Sequence, residues 1–284
     1  MSNFSGIWIP LITPFNAGEV DHAALDALVR HYVRAGVAGF VALGTTGEPA
    51  ALDAREQDAV LATVLAAAGA APVVAGVSGN HTASVCERVS ELNALPLAGV
   101  LAAAPYYIRP SQAGVIGHFT AIADASRKPV ILYDIPARTG VRLELPTLLE
   151  LAGHERIVAV KDCGGSLDKT LSLILDGRLQ VLCGEDLEMF GVLCAGASGA
   201  IAASAHLQTE RFVAMEHALR EGRLAEARSL WHALVPLVRA SFAEPNPAPV
   251  KAALARCGLI RNELRAPMTT ASAALEAELG ERVA

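Results

Sequence analysis

Short apolar or β-branched runs recur along the chain at intervals of roughly 20 to 33 residues, and a helical pattern follows each of them. Eight such runs read as strands: 7–13, 39–44, 72–77, 99–105, 129–136, 157–163, 179–186 and 199–203. Between them apolar residues return every three or four positions, as at Leu25, Leu28, Val29, Tyr32 and Val33, which is the spacing of one buried helix face. Helix starts are marked as well. Asp53 with Glu56 forms an Asp-x-x-Glu capping signature, and Pro110-Ser111 precedes a helix predicted from Gln112. Strand and helix in alternation indicate parallel β-α units. Eight units within about 220 residues predict a closed (β/α)8 TIM barrel in preference to a flavodoxin- or Rossmann-like open sheet, which ordinarily has fewer strands.

From about Arg223 the strand signal stops. The predicted organisation is a barrel domain over residues 1–222 and a C-terminal helical appendage over 223–284, interrupted by the proline-rich Glu244-Pro-Asn-Pro-Ala-Pro-Val250. Leu230, Leu234, Leu237 and Val238 form an apolar face that needs cover from the barrel or from another subunit. The apolar run from Ala59 to Val77 is close to bilayer length, but Gly69 and Pro72 divide it into a helix end and a strand, so no membrane span is predicted.

A 52% hydrophobic and 18% charged chain of 284 residues has enough apolar mass for a large core, which excludes disorder. The net charge of −6, with no cluster of Lys and Arg, excludes a nucleic-acid binder. The segment Met1-Ser-Asn-Phe-Ser-Gly6 has no pattern of an export signal, so a cytoplasmic location is expected. The five cysteines form no C-x-x-C pair and are expected to be free thiols, most of them buried.

The carboxyl ends of parallel barrel strands build the active site in this architecture, so polar residues there are informative. Lys161 ends the run Ile157-Val-Ala-Val160 and shares a face with Ile157 and Ala159 by alternation. It is either paired, to Asp162 or to a carboxylate on a neighbouring strand, or used as a nucleophile. Alternation turns Asp162 to the other face, which weakens that pairing. Desolvation among aliphatic neighbours is expected to lower the amine's pKa and free its lone pair for attack on a ketone. Gly44-Thr-Thr-Gly-Glu48 is a glycine-flanked turn of carboxylate size, or an ordinary turn. Tyr133-Asp-Ile-Pro-Ala-Arg-Thr-Gly140 offers a phenol for acid–base work and, in Arg138, a two-point grip on a carboxylate; the alternative is a core tyrosine and a solvated arginine. The aromatics of Pro105-Tyr-Tyr107 fit catalysis, packing or an interface. No histidine pair, acidic cluster or dinucleotide motif points to a metal or cofactor, so the chemistry is expected to run on side chains alone.

In order and spacing, Gly44-Thr-Thr-Gly-Glu48, Pro105-Tyr-Tyr-Ile-Arg-Pro-Ser111, Tyr133 to Gly140, Val160-Lys-Asp162 and Glu244 to Lys251 resemble the dihydrodipicolinate synthase and N-acetylneuraminate lyase superfamily over nearly the whole chain. The resemblance implies that Lys161 forms an imine with pyruvate, with no other cofactor, and that Tyr133, Thr45 and Tyr107 relay protons. It implies that Thr46, the carbonyl of Ile201 and Gly184 help to bind pyruvate, and that Arg138 receives the carboxylate of L-aspartate 4-semialdehyde. A homotetramer, as a dimer of dimers in which Tyr107 reaches into a neighbouring subunit, is implied too.

Two departures bear on this. Asp134 replaces a usual Asn, and Lys161-Asp-Cys-Gly-Gly165 replaces the commoner Lys-Glu-Ala/Ser-Thr/Ser-Gly. Ala54, Gln57 and Ser84 stand where lysine-inhibited members carry histidine and glutamate, which implies weak or absent inhibition by L-lysine. Alternative readings are a pyruvate aldolase or lyase for a 2-keto-3-deoxy sugar acid, and a barrel that binds a keto acid without turnover.

Overall fold

A computed structural model describes residues 4–283. Residues 1–3 and 284, which include the start of the segment read for an export signal and the outer ends of both predicted domain ranges, lie outside the described residues.

All eight predicted strands form: β1 (Gly6–Pro10), β2 (Gly39–Ala42), β3 (Val73–Val77), β4 (Gly99–Ala103), β5 (Val130–Asp134), β6 (Ile157–Asp162), β7 (Gln180–Cys183) and β8 (Gly199–Ile201). They close into a parallel barrel in the order β1-β8-β7-β6-β5-β4-β3-β2, the (β/α)8 TIM barrel expected from the rhythm of the sequence. Every residue of β1, β2, β5 and β8 is buried, as strands covered on both faces require. The strands are shorter than the apolar runs, chiefly at their carboxyl ends. There the chain leaves the ladder and turns into loops, so that β7 stops at Cys183 and not at Asp186.

The local signals hold. Asp53 accepts a bond from the Glu56 amide at 2.9 Å and Glu56 accepts one from the Asp53 amide at 3.0 Å, starting the helix Ala54–Ala68. Ser111 caps the helix Gln112–Ala125 by accepting from the Gly114 amide. Among the described residues no helix is long and apolar enough to cross a membrane. The expectation that most cysteines are buried fails, since only Cys163 and Cys183 are; Cys86 is intermediate, and Cys194 and Cys257 lie exposed. Both exposed thiols stand at helix C-termini, where the chain emerges from its packed face.

The chain's contacts group into two compact units, one of Val74–Ala200 with the short segment before Gly6, the other of Gly6–Val73 with Ile201 onward. In the second unit Trp8 is fully buried and its ring lies where a Cβ on Gly39 would have to go, so β1 and β2 approach closely only because position 39 has no side chain. A small antiparallel hairpin, Phe15–Asn16 with Glu19–Val20, escaped the sequence reading. Its turn uses positive φ at Ala17 and Gly18, the conformation that closes two-residue hairpins.

Beyond Arg223 the chain forms the helices Leu224–Ser241, Ala248–Arg256 and Ala273–Val283. Leu234, Leu237 and Val238 are buried against the helix Thr209–Arg220 and the other tail helices, so the cover comes from this chain itself. The tail is also fastened by charge. Lys251, fully buried, forms an ion pair with Glu48, donates to the Glu263 carbonyl at 3.0 Å and lies over the Phe15 ring. Leaving either charge alone in such a site would cost about 3–5 kcal/mol. Arg265 grips both carboxylate oxygens of Glu56 and holds that carboxyl down to about 2, while Glu263 accepts from the amides of Ala17 and Gly18 at the hairpin turn.

Candidate active site

A one-residue irregularity sets the central geometry. β5 and β6 pair as Val130↔Ile157 and then Ile131↔Ala159, so Val158 is the extra residue of a bulge. Without it Tyr133 would lie opposite Val160, whose side chain alternates to the other face; with it Tyr133 stands directly opposite Lys161. Both side chains are nearly buried, and the Lys161 amine lies 4.3 Å from the centre of the Tyr133 ring and is hydrogen-bonded to its phenol.

This contact overturns one expectation. Burial does work to lower the pKa of Lys161, but Tyr133 and Cys163 as anions, the hydrogen bond to Tyr133 and the Asp186 carboxylate outweigh it, and the net direction is up. Alternation along β6 reveals the aliphatic neighbours of Lys161 but not the phenol across the strand pair. The Cys163 thiol is itself pushed up to about 12, chiefly by burial, so at neutral pH it is uncharged and exerts no pull. A lysine and a tyrosine hydrogen-bonded in this way can pass one proton between them, as ammonium with phenolate or amine with phenol, at the same net charge. The second form presents a free amine without adding a buried charge.

Gly184, at the end of β7, makes room for this lysine. A Cβ there would collide with the Cys163 sulfur and lie 2.9 Å from Cε and 3.0 Å from Cγ of Lys161. We predict that Gly184→Ala costs about 1–3 kcal/mol of stability through overpacking and slows borohydride trapping of a pyruvate imine. A trapping rate equal to that of the unmodified chain would show that the lysine needs no such space.

Alternation sends Asp134 and Asp162, opposite each other in the β5–β6 register, to the other face. Asp162 therefore does not serve Lys161. Both carboxylates bind Lys169, which comes from the helix Leu167–Asp176, and all three side chains are buried. Burial, only partly offset by Lys169, raises the pKa of Asp134. Lys169 was missed in the sequence reading. The signal was there, because it shares a helix face with Thr170 and Leu173, and a lysine on a buried face needs partners.

The loops after β4 and β5 carry the next two predicted residues. Tyr107 has positive φ, donates its amide to the Thr139 carbonyl at 3.0 Å, and leaves its side chain 88% exposed. Arg138 lies exposed on the single helical turn Pro136–Thr139. Neither joins the Lys161–Tyr133 contact within this chain.

In the other unit Thr45, Thr46 and Gly47 form one 3₁₀ turn after β2. The amides of Gly47 and Glu48 close it internally onto Gly44 and Thr45. The amides that open a helical turn have no partner inside it, so those of Thr45 and Thr46 are the turn's outward pair. Thr46 is buried and its hydroxyl accepts from the Asn246 side-chain amide at 3.1 Å, which leaves the hydroxyl proton for another acceptor. The Glu48–Lys251 pair holds the far end of the same turn. Ile201 is the buried last residue of β8. Asn246 lies in a motif noted in the sequence but given no role there. Among the described residues no three His, Cys, Asp or Glu side chains converge as metal ligands would.

Comparison with known proteins agrees with this arrangement. The model of the dihydrodipicolinate synthetase family matches residues 3–284. A 4-hydroxy-tetrahydrodipicolinate synthase of Hyphomonas neptunium is 40% identical over 99% of this chain and 98% of its own length. The 4-hydroxy-tetrahydrodipicolinate synthase 2 of Clostridium acetobutylicum is 37% identical over 97% of this chain and 98% of its own. Among solved structures, the chloride-inhibited dihydrodipicolinate synthase of Acinetobacter baumannii, complexed with pyruvate, superposes with a TM-score of 0.95 at 32% identity, covering 98% of this chain and 97% of that one. With its motifs placed at the strand ends of a closed barrel and a family match along almost all its length, the chain belongs to the dihydrodipicolinate synthetase family.

Proposed function

We propose that this enzyme condenses pyruvate with L-aspartate 4-semialdehyde to 4-hydroxy-tetrahydrodipicolinate, in the route to diaminopimelate and lysine, through an imine on Lys161. The observation that carries the reading is the register of Tyr133 against Lys161, with the amine on the phenol. The relatives' names and the pyruvate complex of the Acinetobacter baumannii enzyme support it.

In the amine–phenol form Lys161 attacks the keto carbon of pyruvate, and loss of water gives an iminium. The iminium nitrogen acts as an electron sink: when the pyruvate methyl gives up a proton, the electrons of that C–H bond form a C=C bond and the C=N pair moves to nitrogen, leaving an enamine carbon. That carbon attacks the aldehyde, and the new alkoxide takes up a proton. The semialdehyde's amino group then displaces Lys161 from the imine, closing the ring and restoring the amine. Tyr133, hydrogen-bonded to the amine, takes and returns protons at the nitrogen in this reading. Thr45 and Tyr107 are assigned to the same relay, and Thr46, Gly184 and the Ile201 carbonyl to the binding of pyruvate, on their match to the family motifs. The imine serves where other enzymes use a separate cofactor.

Exposed on its turn, Arg138 is accessible to the carboxylate of the second substrate, which favours aspartate semialdehyde over sugar aldehydes. Steady-state kcat/KM across a panel of aldehydes tests this, with aspartate semialdehyde expected to rank first. A sugar-derived aldehyde ranking above it would transfer the enzyme to the sugar-acid lyases.

Two apolar patches support a homotetramer. One is Tyr106, Tyr107 and Ile108 after β4; the other is Leu167, Leu171 and Leu175 along one face of their helix, with Leu175 85% exposed. Two separate patches suit the two kinds of contact in a dimer of dimers. Sedimentation equilibrium is expected to report four chains, and a monomer across the micromolar range would overturn the assignment. The free thiols fit work in the reducing cytoplasm. Gln57 spends its amide on the carbonyls of Pro49 and Leu52, and Ser84 bonds to His81, which supports weak inhibition by L-lysine.

A further inference from the structure

We propose that Asp134, Lys169 and Asp162 are positioning residues, a buried triad that clamps the ends of β5 and β6 so that Tyr133 stays opposite Lys161. The inference rests on the Schiff-base reading above.

Two carboxylates directly across a strand pair repel, and here both are buried. Such a pair persists only with a strong bridge. Lys169 supplies it, reaching Asp162 at 2.9 Å and Asp134 in a closer contact, and its own amide is held by the Ser166 cap. Gly164 leaves the space: a Cβ there would collide with the Lys169 amine and lie 2.7 Å from Asp134 and 2.9 Å from Asp162. The two carboxylates also tie in the surroundings. Asp134 accepts from the Leu143 amide at 3.0 Å; Asp162 accepts from the Gly164 amide at 2.8 Å and from the Thr170 hydroxyl at 2.7 Å.

The backbone of the same two residues extends the clamp toward the lysine. The Asp134 carbonyl accepts from the Cys163 amide at 2.8 Å, and the Asp162 carbonyl from the Gly184 amide at 3.0 Å. Each member of the catalytic pair is thus covalently next to a triad carboxylate, on the opposite face of the same strand. Loss of the bridge lets the strand ends part under like-charge repulsion, and Tyr133 and Lys161 move with them.

The test uses the full-length chain and the variants Lys169→Met, Lys169→Arg, Tyr133→Phe and Lys169→Met with Tyr133→Phe. Steady-state kinetics and borohydride trapping with pyruvate are measured on each. Lys169→Met is expected to lower kcat and the trapping rate about a hundredfold, the effect of an ångström-scale misplacement, with the KM for pyruvate moving less than about threefold. Lys169→Arg, whose planar fork can bridge two carboxylates, is expected to recover activity to within about tenfold of the parent. The double variant is expected to fall no more than about threefold below Tyr133→Phe alone, because the clamp acts through the tyrosine.

Losses that multiply in the double variant, or a KM that changes while kcat does not, would overturn the proposal. If Lys169→Met does not fold, Lys169→Gln, which removes the bridging charge but keeps a polar side chain of similar length, carries the same comparison, with its loss likewise expected to vanish in the Tyr133→Phe background. A parent chain that traps no pyruvate defeats the Schiff-base reading itself. A parent that traps pyruvate while the Lys169 variants match it defeats only the triad.

Discussion

Replacing Lys161 by arginine is expected to leave no borohydride-trapped adduct with pyruvate and to lower turnover by at least about 10⁴-fold, the scale of losing a covalent nucleophile. The substitution keeps the positive charge beside Tyr133 and removes only the capacity to shed a proton, since a guanidinium stays charged at every accessible pH. It thus separates two roles that alanine would confuse. Were the barrel a keto-acid binder without turnover, the retained charge would preserve pyruvate affinity, and nothing catalytic would be lost. Intact-protein mass after reduction, together with kcat/KM, distinguishes these outcomes. An adduct that persists in the arginine variant, assigned by peptide mapping to another lysine, would remove the foundation of the mechanism.

The second large effect concerns the phenol, and its two readouts move in opposite directions. Tyr133→Phe is expected to lower kcat about 10²–10⁴-fold, because the proton shuttle at the nitrogen is gone. The same change deletes the phenolate and the hydrogen bond that hold the amine's pKa up, and leaves burial to pull it down. A lower amine pKa means more free amine at a given pH, so the pH midpoint for imine trapping is expected to shift to lower pH. Trapping measured against pH, beside turnover, checks both. A midpoint that stays in place would mean that Tyr133 does not govern the protonation of Lys161.

The barrel was legible because the two features that specify it are local: strand-length apolar runs, and helix faces that repeat at three and four. All eight strands follow from those features, and the caps at Asp53 and Ser111 from capping signatures that are just as local. The site was legible by its residues more than by its electrostatics. Alternation placed Lys161 and Asp162 on opposite faces, and the structure agrees. What alternation could not supply was the partner across the strand, because the Val158 bulge is a property of pairing between two segments about 25 residues apart and leaves no mark in either one. The sign of the lysine's shift went wrong for that reason. Lys169 is a different case, a readable signal passed over for lack of a conspicuous motif. The hairpin at Phe15 is too short for periodicity to register at all.

The unit that joins Gly6–Val73 to Ile201 onward has a consequence for the making of the protein. Its first strand emerges from the ribosome early, while the residues that fasten its hairpin and its threonine turn, Asn246, Lys251, Glu263 and Arg265, are among the last translated. At about 5–20 residues per second the 284-residue chain takes about 15–60 s to synthesise, and for most of that interval β1 lacks β8 and the hairpin and threonine turn lack their tail contacts. Apolar strands left waiting so long are natural clients for chaperones. A premature stop anywhere before Lys251 strands an unfinished N-terminal segment, however complete the middle of the molecule has become.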